Sequence, residues 1–488
     1  MSSIIYRNTI IFYKVKENVQ GLPVNSKAKG DILGTCSNHN SSNGKDLIKI
    51  NPKHKNWRDT MKRIISILLV LAMGCSILSG CSGNSGDYTV VKGDILGLPT
   101  ESTVEGIELK KMYNEFSINL LKNVYAVEGK GSIMISPASI LFALNMAALG
   151  AEGDTYTEMT NLYAKGATKN DIATFSKSLK ETLESSGIVN VANSLWINED
   201  KSYKANVEYL NLLRQYYSAS AAQMSFEQTP ELKDIINAWI KEKTNDMIEN
   251  ALDKIDPEAF MYIVNCLAFE GKWKEEYKDY QITYDHRFTS GEGKTQQMKS
   301  LNSTENLYLE YGGAKGFLKE YEGGDMSFVA ILPDDENVSI MEFLNNCSED
   351  FWTQFYDSRN REAVITLLPA FSFDYGAELR EILMKMGMIL PFTKDADLSG
   401  MVTQNDNTND AKISPMISRI IHKTHIELDE KGTKAAAATI IEAVDGCTSV
   451  DAPAPQPKRV ILDRPFIYAI VDNNTGLPIF MGVVDSLE

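Results

Sequence analysis

The sequence predicts an α+β fold, and three observations carry that expectation. In the first part of the folded body apolar residues recur at three- and four-residue steps, the period of a helix face. Short runs rich in β-branched and aromatic residues gather towards the end, bounded by turn residues. The two kinds of element do not alternate regularly, which argues against a doubly wound parallel sheet. Of 488 residues, 43% are hydrophobic and 23% charged, enough apolar material for a large core. Six cysteines are too few for a disulfide-stapled scaffold. A formal net charge of −16 argues against a nucleic-acid binder, which needs a basic face.

The amino-terminal region breaks from the rest in composition. Residues 1–60 hold ten Lys/Arg against four acids and no periodic apolar pattern. Met61-Lys62-Arg63 then forms a short basic start, followed by an apolar run of 14 residues, 64–77. Leu78-Ser79-Gly80-Cys81 closes it. That order is a secretory signal, and the run is too short for a comfortable transmembrane helix. The closing motif resembles a bacterial lipobox, which implies diacylation of Cys81. Two acyl chains suffice for stable anchoring where one is marginal. The alternatives are a plain signal peptide or a signal anchor. The expected division is a non-native upstream extension at 1–60, with a genuine cytoplasmic extension as the alternative, and a lipoprotein signal peptide at 61–81. A small, polar tether follows at 82–107, then a single domain at 108–488. The expected location is the outer face of a bacterial envelope, lipid-anchored.

Within the domain, Leu109, Met112, Tyr113, Phe116, Leu120 and Val124 mark one face of a helix. Ser136-Pro137 is an N-cap followed by proline at the first helical position. That helix runs through Ile140, Leu144 and Ala147 to a stop at Gly150. Strands are predicted at 189–197, 260–269, 328–332, 363–368, 420–428 and 466–471. A turn at Asp472-Asn473-Asn474-Thr475-Gly476 joins the last to a strand at 478–484.

No sequence pattern of a metal centre, nucleophile elbow or phosphate loop is present, so neither an enzyme nor a cofactor is expected. His422 and His425 are three apart, but on a strand they face opposite ways. Cys266 and Cys347 are expected to be buried thiols.

The carboxyl-terminal third is the informative part. Glu427-Leu428-Asp429-Glu430-Lys431-Gly432-Thr433-Lys434-Ala435-Ala436-Ala437-Ala438-Thr439 precedes a polar, proline-bearing stretch. Leu462-Asp463-Arg464-Pro465-Phe466-Ile467-Tyr468-Ala469-Ile470 and Gly476-Leu477-Pro478-Ile479-Phe480-Met481-Gly482 follow. Earlier stretches fall in the same order: Ile135-Ser136-Pro137-Ala138-Ser139-Ile140, Asn193-Ser194-Leu195-Trp196-Ile197, Asn265 to Phe269 with Glu270-Gly271-Lys272-Trp273, and Ala396-Asp397-Leu398-Ser399-Gly400. Together they resemble the serpin family of protease inhibitors over the whole of 108–488. The resemblance implies three β-sheets, about nine helices and an exposed reactive-centre loop within 430–464. It implies a monomer whose partner is a target protease, held as a covalent acyl-enzyme while the cleaved loop inserts into a sheet.

The loop supports that mechanism by its own pattern. At period two, Thr433, Ala435, Ala437, Thr439, Ile441 and Ala443 form one set, uncharged and mostly small, suited to face inward. Lys434, Ala436, Ala438, Ile440, Glu442 and Val444 form the outward set. The alternative is a surface helix, since alanine is the best helix former. Inserting about ten residues makes roughly ten to twenty backbone hydrogen bonds at ~1 kcal/mol each. An uninserted loop then leaves the fold metastable by an amount on the order of its ordinary stability.

The resemblance also assigns residues. Glu430, Gly432, Thr433, Lys434, Ala435, Ala436, Ala437 and Ala438 form the hinge, with Lys434 standing where an acidic residue is usual. Ser136, Ser139, Asn265 and His422 match the shutter, a polar cluster beneath the sheet, and Trp273 matches the breach, where the loop first enters. Family spacing puts the reactive bond between Gly446 and Cys447, with Asp445–Gly446 and Cys447–Thr448 as alternatives. No Arg or Lys lies near that bond, so the expected target is a serine protease with a small specificity pocket. A papain-like cysteine protease is the rival target, and a non-inhibitory binding protein the rival function.

Overall fold

The first described helix, α1 (Gly106–Glu128), buries Leu109, Tyr113, Phe116, Leu120 and Val124, the face marked by their spacing. It ends where Gly129 takes φ 74° and returns its N–H to the Tyr125 carbonyl, a conformation glycine adopts without steric cost. Helix α2 (Pro137–Ala148) is capped by the Ser136 hydroxyl, which accepts from Ser139 N–H at 3.2 Å. It packs against the strands Met261–Phe269 and Pro478–Val484.

The structure, a computed structural model, describes Leu98 and residues 103–487 except 200, 202–203, 228, 404–414 and 434–456. All of these fall in the unit Gly93–Glu488. The expected extension at 1–60, the signal at 61–81 and most of the tether lie outside the described residues. Among those described are nine α-helices and several sheets, the α+β class expected.

One sheet has six strands, ordered Ile133–Ile135, Pro478–Val484, Phe466–Asp472, Met326–Pro333, Ala314–Glu320 and Tyr308–Tyr311. Its middle strands are buried on both faces, so they run as unbroken apolar segments. A second sheet has four strands, Lys458–Ile461, Val364–Pro369, Ser300–Glu305 and Ile282–Thr283. Lys458–Ile461 is the first described element after 434–456.

The third sheet comes in two parts. One part orders Ser220–Met224, Val189–Asn198 and Met261–Phe269. The other orders Phe371–Glu378, Ile421–Leu428, Gly432–Thr433 and Gly271–Lys272. Period-two alternation along Met261–Phe269 places Ile263, Leu267 and Phe269 with the main core. Tyr262, Val264 and Cys266 instead join a separate apolar cluster with Phe226, Ile236 and Ile240. Ile236 and Ile240 belong to the helix Thr229–Lys243, which therefore covers one face of this sheet. Cys266 is a buried thiol as expected, whereas Cys347 is only half-buried; burial pushes both up to about 12, which makes them unreactive.

Candidate functional site

The two parts of the third sheet meet only at one end. Gly271-Lys272 continues the line of Met261–Phe269, and Gly432 and Thr433 pair with Lys272 and Gly271. Thr433 also pairs with Leu428. Below this point no ladder joins Met261–Phe269 to Ile421–Leu428 among the described residues. A slot of about 490 Å³ lies between them instead. Tyr262, Ile263 and Val264 form one edge and Ile421, His422 and Lys423 the other. Ile140, Leu144 and Ala147 of α2 line it, as does Ile240 of the covering helix. Among the described residues, each edge has backbone donors and acceptors without a ladder partner, the kind of edge to which a further strand can add.

At the closed end, several groups hold the described part of the assigned hinge, up to Thr433. Asp429 Oδ1 accepts from Lys431 N–H at 2.8 Å and Gly432 N–H at 3.2 Å, turning the chain back towards the sheet. Trp273 donates its indole N–H to the Asp429 carbonyl and its backbone N–H to the Lys431 carbonyl, both at 2.9 Å. Tyr277 N–H donates to the Glu430 carbonyl at 3.0 Å. The Glu430 carboxylate pairs with Lys299, whose hydrogen bond holds it below the usual carboxylate range. Thr433 is only 4% exposed, and its hydroxyl shares a 2.9 Å hydrogen bond with that of Tyr321. A Cβ on Gly432 would sit 2.2 Å from the Gly271 carbonyl oxygen, so only glycine allows this strand-to-strand approach.

Ser136, Ser139 and His422 form one hydrogen-bonded group beside the slot. Ser136 N–H donates to His422 Nε2 at 3.0 Å, and Ser136 Oγ donates to the Ile479 carbonyl at 2.9 Å. Because Nε2 accepts, the neutral ring carries its proton on Nδ1. Burial pushes His422 down to about 4. Asn265 does not bond to this group: its amide donates to Asn193 Oδ1 at 2.7 Å. Asn193 in turn donates to the Tyr217 carbonyl at 2.8 Å. Asn265 Oδ1 is buried with no hydrogen-bond partner among the described residues. All four residues assigned to the shutter are therefore near the slot, three joined and Asn265 tied elsewhere. The hinge residues 434–438, the candidate bond residues Asp445, Gly446, Cys447 and Thr448, and Cys81 lie outside the described residues.

Comparison with known proteins agrees with this architecture. The family described as Serpin (serine protease inhibitor) matches residues 111–486. The chain is 28% identical over 433 residues to an uncharacterized serpin-like protein of Methanosarcina acetivorans, covering 87% of this chain and 96% of that one. It is 27% identical over 385 residues to human neuroserpin, covering 76% and 90% respectively. The crystal structure of a thermophilic serpin, tengpin, in the native state is similar at TM-score 0.68 and 33% identity, covering 80% of this chain and 96% of that one. The chain belongs to the serpin family. Serpins are in general protease inhibitors and not enzymes.

Asn193, Lys299, Tyr277 and Tyr321 are site residues that the sequence expectations did not include. For Asn193 the available signal is an amide among the apolar neighbours of a buried strand. Lys299 lies 131 residues from Glu430, and no local pattern announces such a pair.

Two measurements follow from this geometry. Gly432→Ala should push Gly432 and Thr433 out of the sheet, costing about 2 kcal/mol as an overpacked contact does. A lower melting midpoint with faster amide exchange at 432–433 is the expected result. For His422, the unfolded side chain protonates near 6.5, whereas burial keeps the folded one neutral to about 4. Between those values the unfolded state binds the extra proton, so stability falls as pH falls. It is complete above about pH 6.5 and loses about 3 kcal/mol by pH 4. Melting midpoints across roughly pH 5–6.5, above most carboxylate titration, should drop in the wild type and stay nearly flat in His422→Gln.

Proposed function

We propose that this chain is an inhibitory serpin that traps its protease by inserting the residues that follow Thr433, to 444, into the slot of the third sheet. The supporting observation is the slot itself, with Gly432–Thr433 already seated at its closed end. A loop continuing from Thr433 needs no new nucleation: each further residue extends an existing ladder, whose bonds contribute ~1 kcal/mol each.

In this mechanism the protease nucleophile attacks the carbonyl carbon of the bait residue, Gly446 by spacing. The bond to the Cys447 nitrogen breaks, and that nitrogen leaves with a proton. The new ester, or thioester for a cysteine nucleophile, ties the protease to Gly446. Cleavage frees the loop at that end, and insertion carries the protease away before water can release it. The inhibitor supplies the bait and the free slot, and the protease supplies the chemistry. Small residues and the lack of Arg or Lys around Gly446 suit a serine endopeptidase with a narrow specificity pocket. The LSGC sequence supports lipid anchoring of Cys81 on the outside of the cell envelope.

Limited proteolysis within 446–450 should raise the melting midpoint substantially, because the inserted loop completes the sheet. An unchanged or lower midpoint contradicts insertion. Thr433→Arg replaces a buried hydroxyl by a cation, and an unpaired buried charge costs several kcal/mol. With a small-pocket serine protease, denaturing gels should show a band at the summed mass for wild type and only cleaved chain for Thr433→Arg. Cleavage of wild type without a stable complex would indicate a non-inhibitory member. Trapping of a papain-like enzyme in place of serine proteases would reassign the target class.

For location, the expressed protein should partition with membranes and Cys81→Ser should not. Equal partitioning of the two contradicts the anchor.

A further inference from the structure

Lys319 lies in the strand Ala314–Glu320 at 4% exposure, where an apolar side chain is the ordinary choice. Its ammonium pairs with Glu305 Oε1 at 2.9 Å. Ser303 Oγ donates to the same oxygen at 2.6 Å. The ammonium also lies 4.4 Å from the centre of the Tyr277 ring and 5.5 Å from that of Trp273. A cation over the negative face of an aromatic ring is attracted to it, most strongly where water is excluded. The two rings meet edge to face with centroids 6.4 Å apart, so one cation engages both.

These two residues supply the three N–H donors to the carbonyls of the hinge. The donors to the carbonyls of Asp429, Glu430 and Lys431 are Trp273 Nε1, Tyr277 N and Trp273 N. Trp273 is also stacked on Tyr321 at 4.6 Å and 10°, and Tyr321 bonds the Thr433 hydroxyl. A rotation of the Trp273 ring would therefore move a hinge donor and disturb the neighbour of Thr433 together. A neutral side chain of similar length could fill the space of Lys319 but would exert no electrostatic pull on the two ring faces.

We propose that Lys319 is a positioning residue for the hinge. Acting through the rings of Tyr277 and Trp273, its charge fixes the ring that carries the indole donor to Asp429 and steadies the two residues whose backbone N–H groups hold Glu430 and Lys431. It thereby sets the register in which Gly432–Thr433 and the loop beyond them join the sheet. Glu305 is the counter-charge that makes a buried ammonium tolerable at this place.

The test is hydrogen exchange at the amides of 431–433 in the uncleaved full-length chain, which needs no protease. Wild type is compared with Lys319→Met and with Lys319→Met/Glu305→Leu. The double variant removes both charges, so no carboxylate is left buried and unpaired, and its melting midpoint should stay near that of wild type. Both variants should exchange at least tenfold faster at 431–433, with the remaining strands of the sheet unchanged. Wild-type exchange rates in the double variant would overturn the proposal, leaving Lys319 only a partner for Glu305. A uniform increase across the whole sheet would overturn it too.

A second arm rests on the loop-insertion reading of the function. In both variants the number of inhibitor molecules consumed per protease inactivated should rise threefold or more, with the rate of loop cleavage unchanged. An unchanged ratio would overturn the claim that Lys319 sets the register of insertion. A wild type that traps no protease would overturn the insertion reading instead, and the exchange data would then decide the role of Lys319 alone.

Discussion

Gly432 and Thr433 are the only described residues that join the two parts of the third sheet, and the state of the whole molecule turns on that contact. On one side of it the hinge is held by three N–H donors of Trp273 and Tyr277, an ion pair to Lys299 and a hydroxyl pair to Tyr321. On the other side Met261–Phe269 and Ile421–Leu428 face each other across an open slot. Under the proposed insertion, Gly432 and Thr433 would be the first residues of the further strand, already in register. Glycine at 432 is the steric condition for this arrangement, since any Cβ would meet the Gly271 carbonyl.

The slot lies between neighbours that are themselves well packed. Its floor is the apolar face of α2, its cover the helix Thr229–Lys243, and neither depends on the slot being filled. Polar groups at its margin are satisfied locally, Ser136 by His422 and Ile479. Asn265 Oδ1 is the exception among the four shutter residues. A buried acceptor without a donor is costly, and a backbone N–H brought in by a new strand would relieve it.

Much of this architecture was legible in the sequence because it rests on local signals. The period of α1, the Ser136-Pro137 start of α2 and the apolar runs of the six-stranded sheet appear where their spacing put them. Strand ends shifted by one or two residues, as at Met261, where burial and pairing decide over composition. The alternation around Thr433 indicated an inward side chain there, and Thr433 is buried. Less legible was the seating of Thr433 before cleavage, because it depends on a carbonyl of Gly271 more than 150 residues away. The Lys299–Glu430 pair and the place of Lys319 between two rings were hidden for the same reason. A lysine after Phe317-Leu318 is ordinary in sequence and becomes unusual only once both faces of its strand are covered.

The claim at the centre of this structure is that the slot is the place of residues 433–444 after cleavage. The most direct measurement is a crystal structure of the full chain cut at the reactive bond. The expected result is a new strand from Thr433 onward, hydrogen-bonded to Met261–Phe269 on one edge and to Ile421–Leu428 on the other, with the slot filled. A cleaved chain in which those two strands pair directly with each other, while 434–444 lies outside the sheet, would contradict it.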